Sequence, residues 1–303
     1  MFDERFPSGT VLPGMIMTID RLINILVTIL LIDMMLAIGL SVTMVELLGV
    51  ARDWRLLGRA VLANYILFPL ITVGLLLLFR PADPTVSAGF LILAVCPGAP
   101  FGPPCTRLAR GNVTAAVGLM AILAGSSAIV APLLLSALLP LLMGSGTLQV
   151  NAAGIVGALL VTQLAPLCAG LVLRNWWPRI AKILQKPANQ ASSGLSLVTV
   201  GLILYAQMQL LAAIQLRGYL GMLLLLVASL FVGWLLGGSD VENRKALALT
   251  TSLRNVGVGL VIATGSFTDT AAQTAVLAYG IVEIAGSLCL AAAWSRLPGT
   301  RRS

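Results

Sequence analysis

Apolar runs of membrane length alternate along this chain with short polar connections. The alternation predicts nine spans, at residues 23–48, 60–79, 86–108, 113–142, 152–173, 193–214, 219–236, 245–264 and 271–294. A hydrocarbon layer of about 30 Å is crossed by about 20 apolar residues in a helix, and each run meets or approaches that length. Two runs are interrupted. The third contains CPGAPFGPPCTRLARGN at residues 96–112, with Pro97, Pro100, Pro103, Pro104, Gly98 and Gly102 inside eight residues. Each proline removes a backbone donor and collides with the carbonyl one turn earlier, so no helix runs through unbroken. The eighth run, LALTTSLRNVGVGLVIATG, places Thr250, Thr251, Ser252, Arg254 and Asn255 at the same depth. Irregular backbone inside a membrane is tolerated only where protein buries it or it lines a wet cavity, and in transporters it marks the substrate site.

The second break follows the first by five spans, an odd number, so the two broken helices cross the membrane in opposite directions. That is the pattern of an inverted-topology repeat. The expected organisation is an N-terminal tail at 1–22, a first repeat of four helices at 23–142 with its third helix broken, and a second repeat of five helices at 143–294. The eighth helix of the chain is broken in that second repeat, and a short tail at 295–303 follows. The first twenty residues lack the basic start and immediate apolar run of a cleaved signal peptide.

Composition agrees with an all-α polytopic membrane protein: 58% of residues are hydrophobic and 10% charged, with a mean hydropathy of +1.00. The net charge of +8 does not indicate nucleic-acid binding, because the basic residues lie in loops between spans. Fourteen Lys and Arg fall on one side of the predicted topology and four on the other, Arg5, Arg21, Arg80 and Arg217. Cytoplasmic loops carry the basic excess, so the N-terminus is expected outside and the C-terminus in the cytoplasm of a plasma (bacterial inner) membrane. Arg174 to Lys186, RNWWPRIAKILQK, is expected to form an interfacial cytoplasmic helix anchored by Trp176 and Trp177.

The candidate chemistry is sparse. The chain has no histidine, and its four cysteines, Cys96, Cys105, Cys168 and Cys289, form no CxxC pair, so neither a disulfide framework nor a metal site is expected. No paired catalytic carboxylates and no GxSxG motif point to an enzyme. Three ionisable residues lie within spans: Asp33, Arg254 and Glu283. Charges at that depth cost roughly 2.5–3.5 kcal/mol on insertion scales, so each calls for a partner or a job.

The chain resembles the bile acid:sodium symporter family. The resemblance rests on IGLSV at 38–42 with Glu46 beyond, ANYILFP at 63–69, CPG at 96–98, TRLARGN at 106–112, RNVGVGL at 254–260 and GSL at 286–288. It implies a panel domain packed against a core domain whose fourth and ninth helices are broken and cross. Members with ten spans have one more helix before the part matched here, and others have nine. In sodium-coupled members a Ser-Asn pair aligns with Gly102 and Pro103 here. The second crossover of those members places a Glu at Thr250, a Gln at Arg254 and an Asn at Asn255. A family glutamine corresponds to Asn64, and a family asparagine to Glu283. A sodium site needs oxygen ligands, so the alignment implies that most of the usual ligands are replaced and a fixed cation added.

The reading that follows is a secondary transporter of a small organic anion or amphipathic acid, working by alternating access. Its substrate site is expected at Asn64, Gly98, Pro100, Gly102, Pro103, Thr251, Ser252, Arg254 and Asn255. Arg254 offers two-pronged donors to a carboxylate in place of bound sodium, unless it serves a structural pair with Glu283 or Asp33. Glu283 and Asp33 are the candidates for ion coupling, with a proton or no ion expected to drive transport and sodium kept as the alternative; no other cofactor is expected. The expected partners are the lipid bilayer and the anion, with no nucleic acid, and the oligomeric state is left open. The competing reading is a permease exporting arsenite or a similar metalloid on a thiolate of Cys96 or Cys105.

Overall fold

A computed structural model describes residues 13–81, 83–143, 152–212, 214–267 and 270–296, with the side chains of 13–20, 143, 152, 207 and 210 outside that description. All regular structure among the described residues is helical. In chain order the α-helices are α1 (Pro13–Ser41), α2 (Met44–Arg52), α3 (Trp54–Val61), α4 (Phe68–Phe79), α5 (Pro84–Ala94), α6 (Gly102–Leu108) and α7 (Val113–Met143). They continue with α8 (Ala152–Leu159), α9 (Ala165–Trp176), α10 (Pro178–Ala212), α11 (Leu216–Leu236), α12 (Val241–Ser252), α13 (Val256–Ser266) and α14 (Ala271–Arg296). Two π-helical segments, Leu62–Leu67 and Leu160–Leu164, join α3 to α4 and α8 to α9.

Seven helical stretches among the described residues are long and apolar enough to cross a membrane: Arg21–Ser41, Trp54–Phe79, Val113–Leu142, Ala153–Trp176, Leu216–Leu236, Val241–Ser266 and Ala271–Arg296. The chain is therefore a multi-pass membrane protein. Of the nine predicted runs, the third is divided between α5 and α6, and the sixth is the C-terminal part of α10; neither is among the seven.

Three element boundaries differ from the sequence reading. The first run does not reach Leu48, because Thr43 caps α2. Its hydroxyl accepts from the Glu46 N–H while the Glu46 carboxylate accepts from the Thr43 N–H at 2.9 Å, a capping box that opens a new helix. Helix α1 also begins at Pro13, inside the expected tail; residues 1–12 and 297–303 lie outside the described residues. The segment Arg174–Lys186 is not a separate helix: α9 ends at Trp176 and Pro178 starts the 35-residue α10, which continues past Pro187. Pro187 leaves the carbonyl of Ile183 without its helical donor, and Ile183 is exposed at 72%, so that carbonyl is not trapped in a core.

Both π segments sit just before a proline, Pro69 and Pro166. A proline cannot donate to the carbonyl four residues back and its ring pushes on it, and widening the preceding turn relieves both. Each widened turn presents an amide side chain to the interior, and Asn64 and Gln163 are fully buried.

Close packing rests on small residues. At Gly39 an added Cβ would lie 2.3 Å from the Leu167 carbonyl oxygen, and at Gly170 it would lie 2.6 Å from the Leu36 carbonyl oxygen, so α1 and α9 cross backbone to backbone. Helix α1 also packs along α10, where the Ser192 hydroxyl donates to the Asp33 carboxylate at 2.5 Å. The other main contacts join α5 to α14 and α11 to α12. The main apolar core runs from Val27 and Leu31 of α1 to Val276 and Tyr279 of α14, and α12 packs into two smaller apolar clusters through Leu247 and Leu249.

Candidate functional site

The two predicted breaks meet. Helix α5 ends at Ala94, the chain crosses residues 95–101 without regular structure, and α6 starts at Gly102 with Pro103 and Pro104 in its first turn, where a missing N–H does no harm. Gly98 adopts a left-handed φ of 87°. A Cβ there would come within 2.4 Å of the Ala124 backbone nitrogen, so only glycine lets the break lie on α7. On the other arm α12 ends at Ser252, Leu253 is extended, and α13 begins at Val256 with Asn255 as its cap.

Asn255 ties the arms together. Its backbone N–H donates to the Cys96 carbonyl at 2.8 Å, its side-chain amide reaches the Gly98 carbonyl at 3.5 Å, and its side-chain oxygen accepts from the Val258 N–H. At the far ends of the two broken helices the Asn112 N–H donates to the Glu242 carbonyl at 3.1 Å, the Asn112 amide donates to Asn243 at 2.8 Å and Lys245 donates to the Ala109 carbonyl. The two broken helices are thereby fastened at the break and again at one end.

Polar side chains from neighbouring helices close around this junction. The Asn64 amide donates to the Ala60 carbonyl at 2.9 Å and to the Thr251 hydroxyl at 3.4 Å. Ser252 shares a hydrogen bond of 2.9 Å with Ser287 of α14. Gln163 donates to the Ala124 carbonyl and to Ser127, and Tyr65 bonds the Leu123 carbonyl and Ser126. Gly102 and Pro103 are buried where α6 starts; a Cβ on Gly102 would come only to 3.9 Å from the Thr250 hydroxyl, and Pro100 lies in the turn before it.

Arg254 stands at the centre with 1% of its surface exposed. Its backbone N–H donates to Glu283 at 2.8 Å. The expected ion pair does not form through the guanidinium: all three of its nitrogens are buried without a hydrogen-bond partner among the described residues, as is the second Glu283 oxygen. The guanidinium carbon instead sits 3.8 Å from the centre of the Phe68 ring, and a ring face attracts a desolvated cation. Asn64 and Thr250 each hold a buried oxygen with no hydrogen-bond partner among the described residues. Asp33 is the predicted residue whose recorded bond leads elsewhere, to Ser192 on α10. Cys96 and Cys105 are buried and free, and no group of three His, Cys, Asp or Glu suited to a metal occurs among the described residues.

A buried planar cation with five unused N–H donors is a costly arrangement unless something anionic shares it. A carboxylate matches it in charge, plane and spacing.

The profile of the Sodium Bile acid symporter family matches residues 28–237, well over half of the chain. The chain belongs to the sodium bile acid symporter family. It is 28% identical over 239 residues to "Probable sodium/metabolite cotransporter BASS1, chloroplastic" of Arabidopsis thaliana, covering 77% of this chain and 57% of that protein. It is 26% identical over 258 residues to "Uncharacterized sodium-dependent transporter YocS" of Bacillus subtilis (strain 168), covering 82% of this chain and 75% of that one. A 125-residue stretch is 33% identical to "Uncharacterized protein PA2026" of Pseudomonas aeruginosa, with 41% of this chain and 36% of that protein covered. The family match ends before the arm that carries Arg254 and before Glu283, the part in which this member of the sodium bile acid symporter family has its buried guanidinium without a hydrogen-bond partner among the described residues.

Sequence reasoning passed over Tyr65, Phe68 and Ser287 as site residues, and took Gln163 for a cavity or helix-contact residue; it ties two helices through Ala124 and Ser127. Pro69 was the available signal for the first two, since a proline widens the turn that precedes it. Ser287 carries no local signal; only the packing of α14 on α12 brings it to Ser252.

Proposed function

We propose that this protein is a secondary transporter that binds a small organic anion at Arg254 where the two helix breaks meet. The observation that carries the reading is the buried guanidinium with no hydrogen-bond partner among the described residues, seated on Phe68. An anion held there receives a two-pronged carboxylate contact from Arg254, with Asn64, Thr251, Ser252 and Asn255 beside it. Gly98, Pro100, Gly102 and Pro103 supply the irregular backbone on the opposite arm.

The site is sealed in this conformation, so loading requires helices to separate. We assign the moving boundary to the face between α1, α9 and α10 on one side, as panel, and the fastened broken helices with α4, α7, α11 and α14 on the other, as core. Nine membrane crossings in an inverted-topology repeat, with the N-terminus outside and the C-terminus cytoplasmic, complete the assignment; the fourteen-to-four distribution of basic residues supports it. Arg254 takes over the electrostatic work that bound sodium performs elsewhere, so uptake is driven by protons or by the substrate gradient alone. Glu283, whose second oxygen is buried without a partner, is the first choice for a proton carrier and Asp33 the second.

Uptake of radiolabelled organic acids into proteoliposomes tests this. The expected result is uptake of one or more carboxylates that responds to a pH or substrate gradient, is indifferent to sodium and is abolished in Arg254→Gln. Steep dependence on a sodium gradient with no response to pH rejects the coupling assignment.

A further inference from the structure

Away from the junction, a cavity of about 460 Å³ opens where the C-terminal turns of α4 meet the first turns of α5, α11 and α14. Its volume lies within the roughly 300–1,000 Å³ of small-molecule sites. The inner wall is apolar, with Leu75, Leu76, Phe90, Met222 and Leu225 among its residues, and Arg80 and Arg217 stand among the lining residues, both exposed. Neither arginine forms an ion pair with a carboxylate among the described residues. The acid beside them, Asp83, is already engaged, one oxygen accepting from the Thr85 N–H at 2.8 Å and the Thr85 hydroxyl at 2.7 Å. Arg80 is fixed in place by a left-handed backbone, φ 45°, that ends α4, and by its Nε–H bond to the Leu77 carbonyl at 3.3 Å. These two are half of the four basic residues on the side assigned as external, which is otherwise poor in positive charge.

We propose that this cavity is a second binding site, for a single-chain amphipathic carboxylate, whose head group sits between Arg80 and Arg217 and whose chain lies against Phe90, Met222 and Leu225. The cavity is too small for the two chains of a phospholipid, and its two arginines select against an uncharged chain. The occupant is also well placed to be felt at the junction. The Phe90 ring meets Tyr279 at 5.8 Å, and Thr72, another lining residue, donates to the carbonyl of Phe68, which carries the Arg254 cation. The inference does not depend on an anion binding at Arg254.

The experiment uses the full chain carrying Arg254→Gln, in phosphatidylcholine nanodiscs, titrated with dodecanoate by calorimetry and corrected with empty discs. One saturable binding event is expected with that variant, weakened at least ten-fold by adding Arg80→Gln with Arg217→Gln. Gly221→Leu, at a lining position where an added Cβ meets only Phe79 at 3.9 Å, is expected to abolish it without lowering the melting temperature. Dodecanol is expected to bind at least ten-fold more weakly than dodecanoate. Absence of saturable binding in the Arg254→Gln protein, or binding that survives both sets of changes, overturns the proposal. Loss of dodecanoate binding in phosphatidylglycerol discs also overturns it, by assigning the cavity to lipid. Failure of the Arg254 reading shows separately, as unchanged transport in Arg254→Gln.

Discussion

Replacing Gly98 by alanine is the most informative change at the junction, because glycine is needed there on two independent counts. The residue holds φ at 87°, where an L side chain is strained by roughly 1–2 kcal/mol. The added Cβ would also lie 2.4 Å from the nitrogen, 2.7 Å from the Cα and 2.8 Å from the Cβ of Ala124, so the break must lift from α7. Forcing one carbon into packed backbone costs about 1–3 kcal/mol, and lifting the loop also strains the Cys96 and Gly98 carbonyl contacts with Asn255. A loss of roughly 2–5 kcal/mol in unfolding free energy is expected. Gly102→Ala is the control. It lies four residues on, starts a helix, and its Cβ would come no closer than 3.9 Å to the Thr250 hydroxyl, so it should be neutral or stabilise by up to about 1 kcal/mol. Denaturant unfolding in mixed micelles, followed by circular dichroism, measures both. Equal stabilities for the two variants would refute the claim that the break is held against α7 through Gly98.

Three further changes probe the surroundings. Gly39→Val drives a side chain into the Leu167 carbonyl at the crossing of α1 and α9 and is expected to lower the melting temperature far more than Gly74→Val, where an added Cβ meets nothing within 4 Å. Phe68→Leu removes the ring beneath Arg254 and should cost about 2 kcal/mol in unfolding free energy, against about 1 kcal/mol for Phe90→Leu, which loses only the tilted contact with Tyr279. Asn112→Ala removes both the cap on the Ala115 N–H and the bond to Asn243; a loss of about 1 kcal/mol is expected by denaturant unfolding, with faster hydrogen exchange at the start of α7.

Much of the junction was legible in the chain because its signals are local and extreme. Prolines and glycines at 97–104 and the polar run ending at Asn255 stop helices wherever they occur, and the structure breaks at both places. The capping box at Thr43 was equally local and would have split the first run had the spacing from Thr43 to Glu46 been weighed against continued apolarity. Other features depend on distant partners. Whether Glu283 meets the guanidinium or the backbone N–H of Arg254 turns on the extended residue Leu253, which swings the side chain toward Phe68 on a helix nearly two hundred residues earlier. Asp33 looked like a companion of Arg254 from hydropathy alone, and its bond to Ser192 follows from the crossing of α1 with α10. The cavity beside Arg80 and Arg217 is assembled from four helix ends, none of which carries a motif.

The central claim is that the Arg254 guanidinium binds the anionic group of the substrate without sodium. Its most direct test is equilibrium binding of a transported carboxylate to purified protein in sodium-free buffer, comparing the wild type with Arg254→Gln and Arg254→Lys. The account predicts saturable binding to the wild type that is unchanged on adding sodium, a loss of at least about ten-fold in Arg254→Gln, and partial recovery in Arg254→Lys, which keeps the charge and loses the fork. Equal affinity in the wild type and Arg254→Gln, or binding that appears only with sodium, would contradict it.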